Sequence, residues 1–559
     1  MSMFCFQCQE ASHNEGCTVS GVCGKSAKTA ALQDALMHVA RGASVYAHAL
    51  HMQSLQLDTE PSVFNSWLRV ALFTTITNAN FDDLAIEAQV FRGLALRMSL
   101  KQRCINLGLN VQNGLSHAAT WSPENLRDIL DTQIHIGVLR TTDPDSRSLR
   151  ELLTYGLKGL AAYLHHAAEL GSEDRTINTF LPRALVATID PHIDNKELNT
   201  LILETGAKGV AAMALLDNAN TVRYGQPVHT EVRTDAGERP GILVSGHDLA
   251  DLEILLEQSK HAGIDVYTHC EMLPAHGYPF FMKYTHLFGN YGNSWWRQHK
   301  EFNAFNGPIL FTTNCIVPPI ANASYANRVF TTGAAGYPGY RHIQKSADGS
   351  KDFSELINIA KNCKPPETIE EGTIPVGFAH NQIDQLVPSI LQAIHCGGIK
   401  RFVVMAGCDG RHSQRNYYTD FAEQLSSDTV ILTAGCAKYR YNKLNFGSVI
   451  SPDGVEIPRL LDAGQCNDSY SIALTAIKLQ YALGLDDINS LPIAYNIAWY
   501  EQKAIIVLLS LLHLGVRNIQ LGPTLPAFLS PEVGQFLVDH FGITSIPAEI
   551  AIESHKACA

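Results

Sequence analysis

"GILVSGHDLADLEILLEQSKHAGIDVYTHCE", residues 241–271, decides how the fold is read. "GILVSG" is a short apolar run closed by glycine, which reads as a buried strand. Leu249, Leu252, Leu255 and Leu256 then recur at helical spacing, with Gly263 as the stop, and "IDVYTHCE" is a second apolar run. A strand, a helix and a strand in so short a span predict two parallel strands joined by a crossover helix. An open parallel sheet presents ligands at the carboxyl ends of its strands. His247 and Glu271 stand at the ends of these two.

The same theme continues outward. "GPILFTTNC" is a strand ending at Cys315, and "ANRVFTTG" is another. A polar stretch, 361–373, reads as a linker. Beyond it "IKRFVVMAGCDG" and "DTVILTAGCAKY" put Cys408 and Cys436 at strand tips, and Cys466 lies in the loop "DAGQCNDS". "NIAWYEQKAIIVLLSLLHLG" reads as a late helix carrying Glu501 and Lys503, followed by the strand "VRNIQLG". Upstream, residues 28 to about 222 show helical periodicity. "NSWLRVALFTTITNANFDDLAIEAQVF" (65–91) reads as one helix, and Ser122 and Asp145 read as helix starts. The expected fold class is therefore multidomain α and α/β. The expected division is a cysteine loop plus helical bundles over 1–223, and two Rossmann-like α/β domains over 224–376 and 377–559.

The chain has 559 residues with net charge −12, and this charge forms no long runs. Nucleic acid as partner would call for a basic patch, so none is expected. The longest apolar run, 504–516, is too short to span a bilayer, and no apolar leader follows Met1. A cytoplasmic protein is expected. In that compartment thirteen cysteines point to metal or redox chemistry rather than disulfides.

One polar residue at a strand tip is ordinary. His247, Glu271, Cys315, Cys408 and Cys436 in succession are not. A buried imidazole or carboxylate needs a partner, and a shared metal centre supplies one. Thiolates select iron–sulfur or zinc centres, while carboxylate and imidazole suit harder iron. The mixture points to iron bridged partly by sulfide and partly by oxygen. Glu501 and Lys503 read either as a solvated helical face or as the flanks of one pocket. The pair His165 and His166 reads as structural. Among the leftover cysteines 104, 270, 363, 396 and 558, Cys270 is excluded as a ligand because an extended backbone would turn it away from Glu271.

At the tip, "MFCFQCQEASHNEGCTVSGVCGK" (3–25) carries Cys5, Cys8, Cys17 and Cys23. Four thiols in a short loop suit either a structural zinc or a cubane, and spacing alone leaves both open. A second iron site later in the chain favours an electron relay, which requires the tip to fold back onto the domains.

Taken together, "MFCFQCQE", "SGHDL", "THCEMLPAHGYP", "FTTNCIVPP", "MAGCDGR", "AGCAKYRYN", "DAGQCNDSYS", "WYEQKA" and "LGPTLPAF" resemble the hybrid cluster protein family, also called prismane proteins or hydroxylamine reductases. The resemblance covers essentially the whole chain. It implies two three-helix bundles in the N-terminal domain, and a hybrid iron–sulfur–oxygen cluster held by His247, Glu271, Glu501, Cys315, Cys408, Cys436 and Cys466. Cys408 is the implied persulfide, and Lys503 is placed near the cluster. The short N-terminal spacing resembles family members with a [4Fe-4S] cluster on Cys5, Cys8, Cys17 and Cys23. It departs from the wider spacing of members that carry a [2Fe-2S] cluster and pair with a dedicated NADH-dependent reductase.

The implied reaction converts hydroxylamine, two electrons and two protons to ammonia and water. Glu271, His247, Glu501, Lys503 and Cys408 are the implied catalytic set. Nitric oxide reduction to nitrous oxide and protein S-nitrosylation on the same cluster are the nearest rivals. A carrier or redox sensor without turnover is a further one. A ferredoxin- or flavin-type electron donor, a monomeric state, and a gas or solute channel between the domains complete the expectations.

Overall fold

The computed structural model describes residues 3–53, 61–109, 111 and 116–546; Cys558 lies outside them. The first half is helical. Ala27–Met52, Pro61–Thr74, Asp83–Asn106 and Leu126–Ile136 precede the long helices Pro144–Glu169, Arg175–Ala187 and Asn195–Tyr224. Their starts are chemically defined. Ser26, Asp82, Asp143 and Asp194 each accept a backbone N–H of the first turn, and Glu197 reciprocates toward Asp194.

Three readings of this region change. Residues 65–91 are not one helix: the chain breaks at 75–82, where Asn78 takes φ +60°. A run of β-branched threonines and isoleucine, then asparagines, favours such a break. Ser122 does not start a helix; it precedes Pro123, which disfavours the helical region for it, and Asn125 takes the cap. Asp145 lies inside the first turn of a helix capped by Asp143.

Two six-stranded parallel sheets, with helices between their strands, organise the rest. The first runs Leu287–Asn290, Asp265–His269, Gly241–Ser245, Ile309–Phe311, Val329–Thr332, Arg341–Ile343. The second runs Leu460–Asp462, Thr429–Thr433, Arg401–Gly407, Ile493–Ala498, Ile519–Gly522, Thr544–Ser545. The strand–helix–strand unit of 241–271 is present, with Gly241–Ser245 in register against Asp265–His269 and the helix Leu249–Ser259 between them. The polar stretch 361–373 leads into the strand Thr373–Val376, which pairs antiparallel with Thr230–Arg233. Among the described residues no helix is long and apolar enough to cross a membrane.

The late helix begins one residue beyond Glu501 and spans Gln502–His513. One side of it packs against Pro144–Glu169 and Asn195–Tyr224. Glycines make that approach possible: a Cβ on Gly206 would stand 2.1 Å from the Leu509 carbonyl oxygen, and one on Gly159 would stand 2.4 Å from that of Gln502. Gly206→Val is therefore expected to cost the upper end of roughly 1–3 kcal/mol, read as a lowered urea midpoint. An unchanged midpoint would mean that this contact is not needed.

Candidate functional site

Several strand tips are turned toward the centre by a residue in the left-handed region. Gly246 (φ +112°), Gly407 (φ +109°) and Gly435 (φ +85°) immediately precede His247, Cys408 and Cys436, and Gly464 (φ +134°) lies two before Cys466. At Gly407 a Cβ would meet the Ala498 carbonyl oxygen at 1.9 Å, so only glycine permits the turn. Cys315 (φ +81°) and Cys270 (φ +54°) adopt such a conformation without being glycine. That is a strained arrangement of the kind that clusters at functional sites.

The result is convergence. His247, Glu271, Cys315, Cys408, Cys436, Cys466 and Glu501 all border one cavity of about 330 Å³, together with Thr77, Asn78, Trp295, Asn314 and Tyr500. Six of the seven side chains are buried and Cys315 is half-buried. The ligand atoms of His247, Glu271 and Cys466 lie within 4.8 Å of one another, as do those of Cys270, Glu271 and Cys436. The backbone at Cys270 is not extended (φ +54°). Its left-handed turn instead brings its thiol against Cys315 and Cys436.

Neighbouring groups fix these side chains. His247 Nδ1 sits 2.8 Å from Thr313 Oγ1, so the ring presents Nε2 to the cavity, 3.8 Å from Glu271 Oε2. Gln465 donates to the carbonyls of both His247 (3.0 Å) and Glu271 (2.8 Å), locking the two turns together. Glu271 Oε2 accepts the Cys466 N–H at 3.0 Å, while its Oε1 is buried without a hydrogen-bond partner. Glu501 is the N-cap of the late helix rather than part of it, and its Oε2 accepts the Lys503 N–H at 2.8 Å. Lys503 Nζ reaches back to His247 Nε2 (2.8 Å), Asn314 Oδ1 (2.9 Å) and Glu501 Oε1 (3.7 Å). Glu501 therefore borders the cavity, and Lys503 is bonded to two of its other lining residues, His247 and Asn314.

The electrostatics follow from burial. Burial, aided by Lys503 and His166, holds His247 far below the usual imidazole range, which keeps it a neutral ligand. Burial raises Glu271 against the pull of Lys438 and Lys503, and raises Glu501 against Lys503. Burial opposes the Lys503 charge, yet Cys466, Glu501, Cys315 and Cys408 hold it above its ordinary value. The site thus stores one ammonium among many latent anions.

Several participants carry no motif of their own. Asp409 accepts from Ser294, Trp296 and Arg440 beside Cys408. The ion pair of Lys438 with Asp462 is wholly buried near Glu271. His166, read as structural, stacks on His247 with ring centres 6.3 Å apart and lies 3.5 Å from Asp248. Glycine immediately before His247, Cys408 and Cys436 was the legible signal for those three turns.

The N-terminal tip folds back, as a relay requires. Cys5 and Cys17 exchange backbone hydrogen bonds (3.0 and 2.8 Å). Gln9 N donates to the Tyr500 carbonyl at 3.0 Å, Gln502 donates to the Gln7 carbonyl at 2.7 Å, and Glu10 pairs with Arg411 at 2.6 Å. Tyr500 belongs to both places. It lines the central cavity against Trp295 (4.6 Å between ring centres), and after burial it is Glu10, Cys8 and Cys23 that push its phenol up.

Helices on two parallel sheets, with one buried mixed sulfur, nitrogen and oxygen donor set, define a class of metal-centre protein. The sequence profile of the Prismane/CO dehydrogenase family matches residues 3–551, and the chain belongs to that family. A hydroxylamine reductase of Clostridium botulinum (strain Kyoto / Type A2) is 54% identical over 98% of both chains. A hydroxylamine reductase of Porphyromonas gingivalis (strain ATCC 33277) is 54% identical over 97% of both. Among solved structures, carbon monoxide dehydrogenase IV from Carboxydothermus hydrogenoformans superposes with TM-score 0.55 at 17% identity, covering 96% of this chain and 88% of that one. At that identity the likeness is one of fold.

Proposed function

We propose that this chain is an iron–sulfur oxidoreductase that reduces hydroxylamine to ammonia and water. The observation that carries the proposal is the convergence of His247, Glu271, Glu501, Cys315, Cys408, Cys436 and Cys466 on one cavity. These seven would hold a hybrid iron–sulfur–oxygen cluster, and Cys5, Cys8, Cys17 and Cys23 a [4Fe-4S] cluster. The unpartnered Oε1 of Glu271 fits such a group, because a buried carboxylate oxygen is costly unless something binds it. When bound, the mixed centre supplies electrons and Lewis acidity to the N–O bond.

The chain's own residues do the rest. Lys503 holds a proton beside His247, Glu501 and Asn314, where it meets the negative charge that grows on the leaving oxygen. A carboxylate that changed its binding mode, Glu271 or Glu501, would be free to pass on the second proton. The Gln9–Tyr500–Trp295 contact joins the tip to the cavity along a short aromatic path. A donor protein of ferredoxin or flavin type would deliver electrons at the tip. The monomeric state remains part of the proposal.

Anaerobic protein should contain iron and acid-labile sulfide, with hydroxylamine oxidising a reduced viologen in a protein-dependent manner. Zinc without sulfide would end the proposal.

Nitric oxide reduction on the same site is favoured by one observation. A cavity of about 620 Å³, lined by Val404, Ile472, Ala476, Ile497, Val507 and Leu511 among others, reaches Cys408 and Cys466. It runs inside the second α/β domain, between its sheet and two helices, rather than between domains as expected. An apolar lining suits a neutral diatomic better than hydroxylamine. Ala476→Phe is expected to slow nitric oxide turnover several-fold more than hydroxylamine turnover in parallel steady-state assays. Equal effects would remove this cavity as a route.

A further inference from the structure

Behind the cysteine tip, in the helical domain, lies a second cavity of about 450 Å³ bordered by Lys25, Arg41, Arg140, Lys158, Asp34 and Glu151. Four cations thus face two carboxylates. Glu151 engages two of the cations, Arg140 at 3.6 Å and Arg41 at 3.9 Å. Arg41 also donates to the hydroxyls of Thr188 and Thr154. The two lysines are placed differently. Lys25 Nζ stands 4.0 Å from Cys5 Sγ. Lys158 Nζ donates to Gln7 Oε1 at 2.9 Å and to the Thr75 carbonyl at 3.4 Å. Neither forms an ion pair with a carboxylate among the described residues, and both are buried.

A buried ammonium needs nearby anions, and besides Asp34 and Glu151 the two lysines share one more, Cys5, which belongs to the group the tip would hold. Four thiolates around an iron–sulfur core carry net negative charge, and accepting an electron adds one more unit. We propose that Lys25 and Lys158 form a fixed positive cradle that raises the reduction potential of the N-terminal cluster, favouring acceptance of an electron from the donor. The inference rests on the cluster reading above. The lysines touch no substrate; they act through the cluster. A purely structural lysine would leave its potential unchanged.

Redox titration of the full-length protein, following the EPR signals of the reduced tip cluster and of the central site separately, tests this. Lys158→Gln is expected to move the tip cluster's midpoint to more negative values. The ratio of reduced to oxidised cluster at fixed potential should fall about tenfold, which is about 59 mV for one electron. The central site's midpoint should stay in place. Lys158→Arg should restore the original value. Glu151→Gln, which removes a negative charge from the same cavity, should move the midpoint the other way. Absence of a tip-cluster signal in the unmodified protein would overturn the cluster reading itself. A signal whose midpoint is unmoved in both Lys158→Gln and Glu151→Gln would overturn the cradle alone. If Lys158→Gln fails to assemble the cluster, Glu151→Gln decides: an upward shift supports the cradle, and no shift or a downward one overturns it.

Discussion

Glu271→Ala is expected to abolish hydroxylamine turnover while leaving the EPR signal of the N-terminal cluster intact. Glu271 contributes to three relationships at once. Its Oε2 anchors the Cys466 turn and faces His247 Nε2, and its Oε1 is the buried oxygen still lacking a partner. Alanine removes all of these but spares the backbone carbonyl that Gln465 holds, so the turn itself persists. Loss of an outer-layer partner costs a metal site roughly 10- to 100-fold; loss of Glu271, if it is a ligand as proposed, should exceed that and fall below detection. The tip is tied to the body through Gln7, Gln9 and Glu10, none of which contacts Glu271. Its signal should survive. Persistent turnover in this variant would remove Glu271 from the active site.

Lys503→Met should have the next largest effect. Methionine keeps the length of the side chain but deletes the only cation bonded to His247, Asn314 and Glu501 among the described residues. If Lys503 supplies a proton to the leaving oxygen, kcat should drop about 10²- to 10⁴-fold, with iron and sulfide content retained. The steady-state pH profile provides a readout independent of folding, because the limb belonging to the donor should vanish. A variant that loses iron in proportion to activity would instead make Lys503 a counter-charge needed for assembly. The surrounding thiols and Glu501 hold its proton firmly, against the effect of burial.

The strand tips were legible because parallel-sheet strands are continuous apolar runs, and because the residue after each run was chemically out of place. That reasoning located His247, Glu271, Cys315, Cys408 and Cys436 without coordinates, and the cavity gathers all five. It failed at Cys270, where alternation assumes extended backbone and the chain enters the left-handed region instead. It also failed at 75–82, where helical periodicity on both sides hid a turn that delivers Thr77 and Asn78 to the cavity. Glu501 was ambiguous for a local reason: a cap and a first-turn residue look alike in sequence, yet only the cap directs its carboxylate inward. Tyr500 and the buried lysines behind the tip were illegible. Their positions depend on contacts between segments hundreds of residues apart, and no periodic pattern encodes such contacts.

The central claim is that one iron assembly of mixed sulfur and oxygen character is gripped by side chains from both α/β domains. Iron-edge anomalous diffraction from anaerobically grown crystals addresses it most directly. The expected map has two separate iron features, one enclosed by the tip cysteines and one filling the cavity between His247, Glu271, Glu501 and the four cysteines at 315, 408, 436 and 466. A map with no iron density in that cavity, from protein retaining full hydroxylamine turnover, would contradict it.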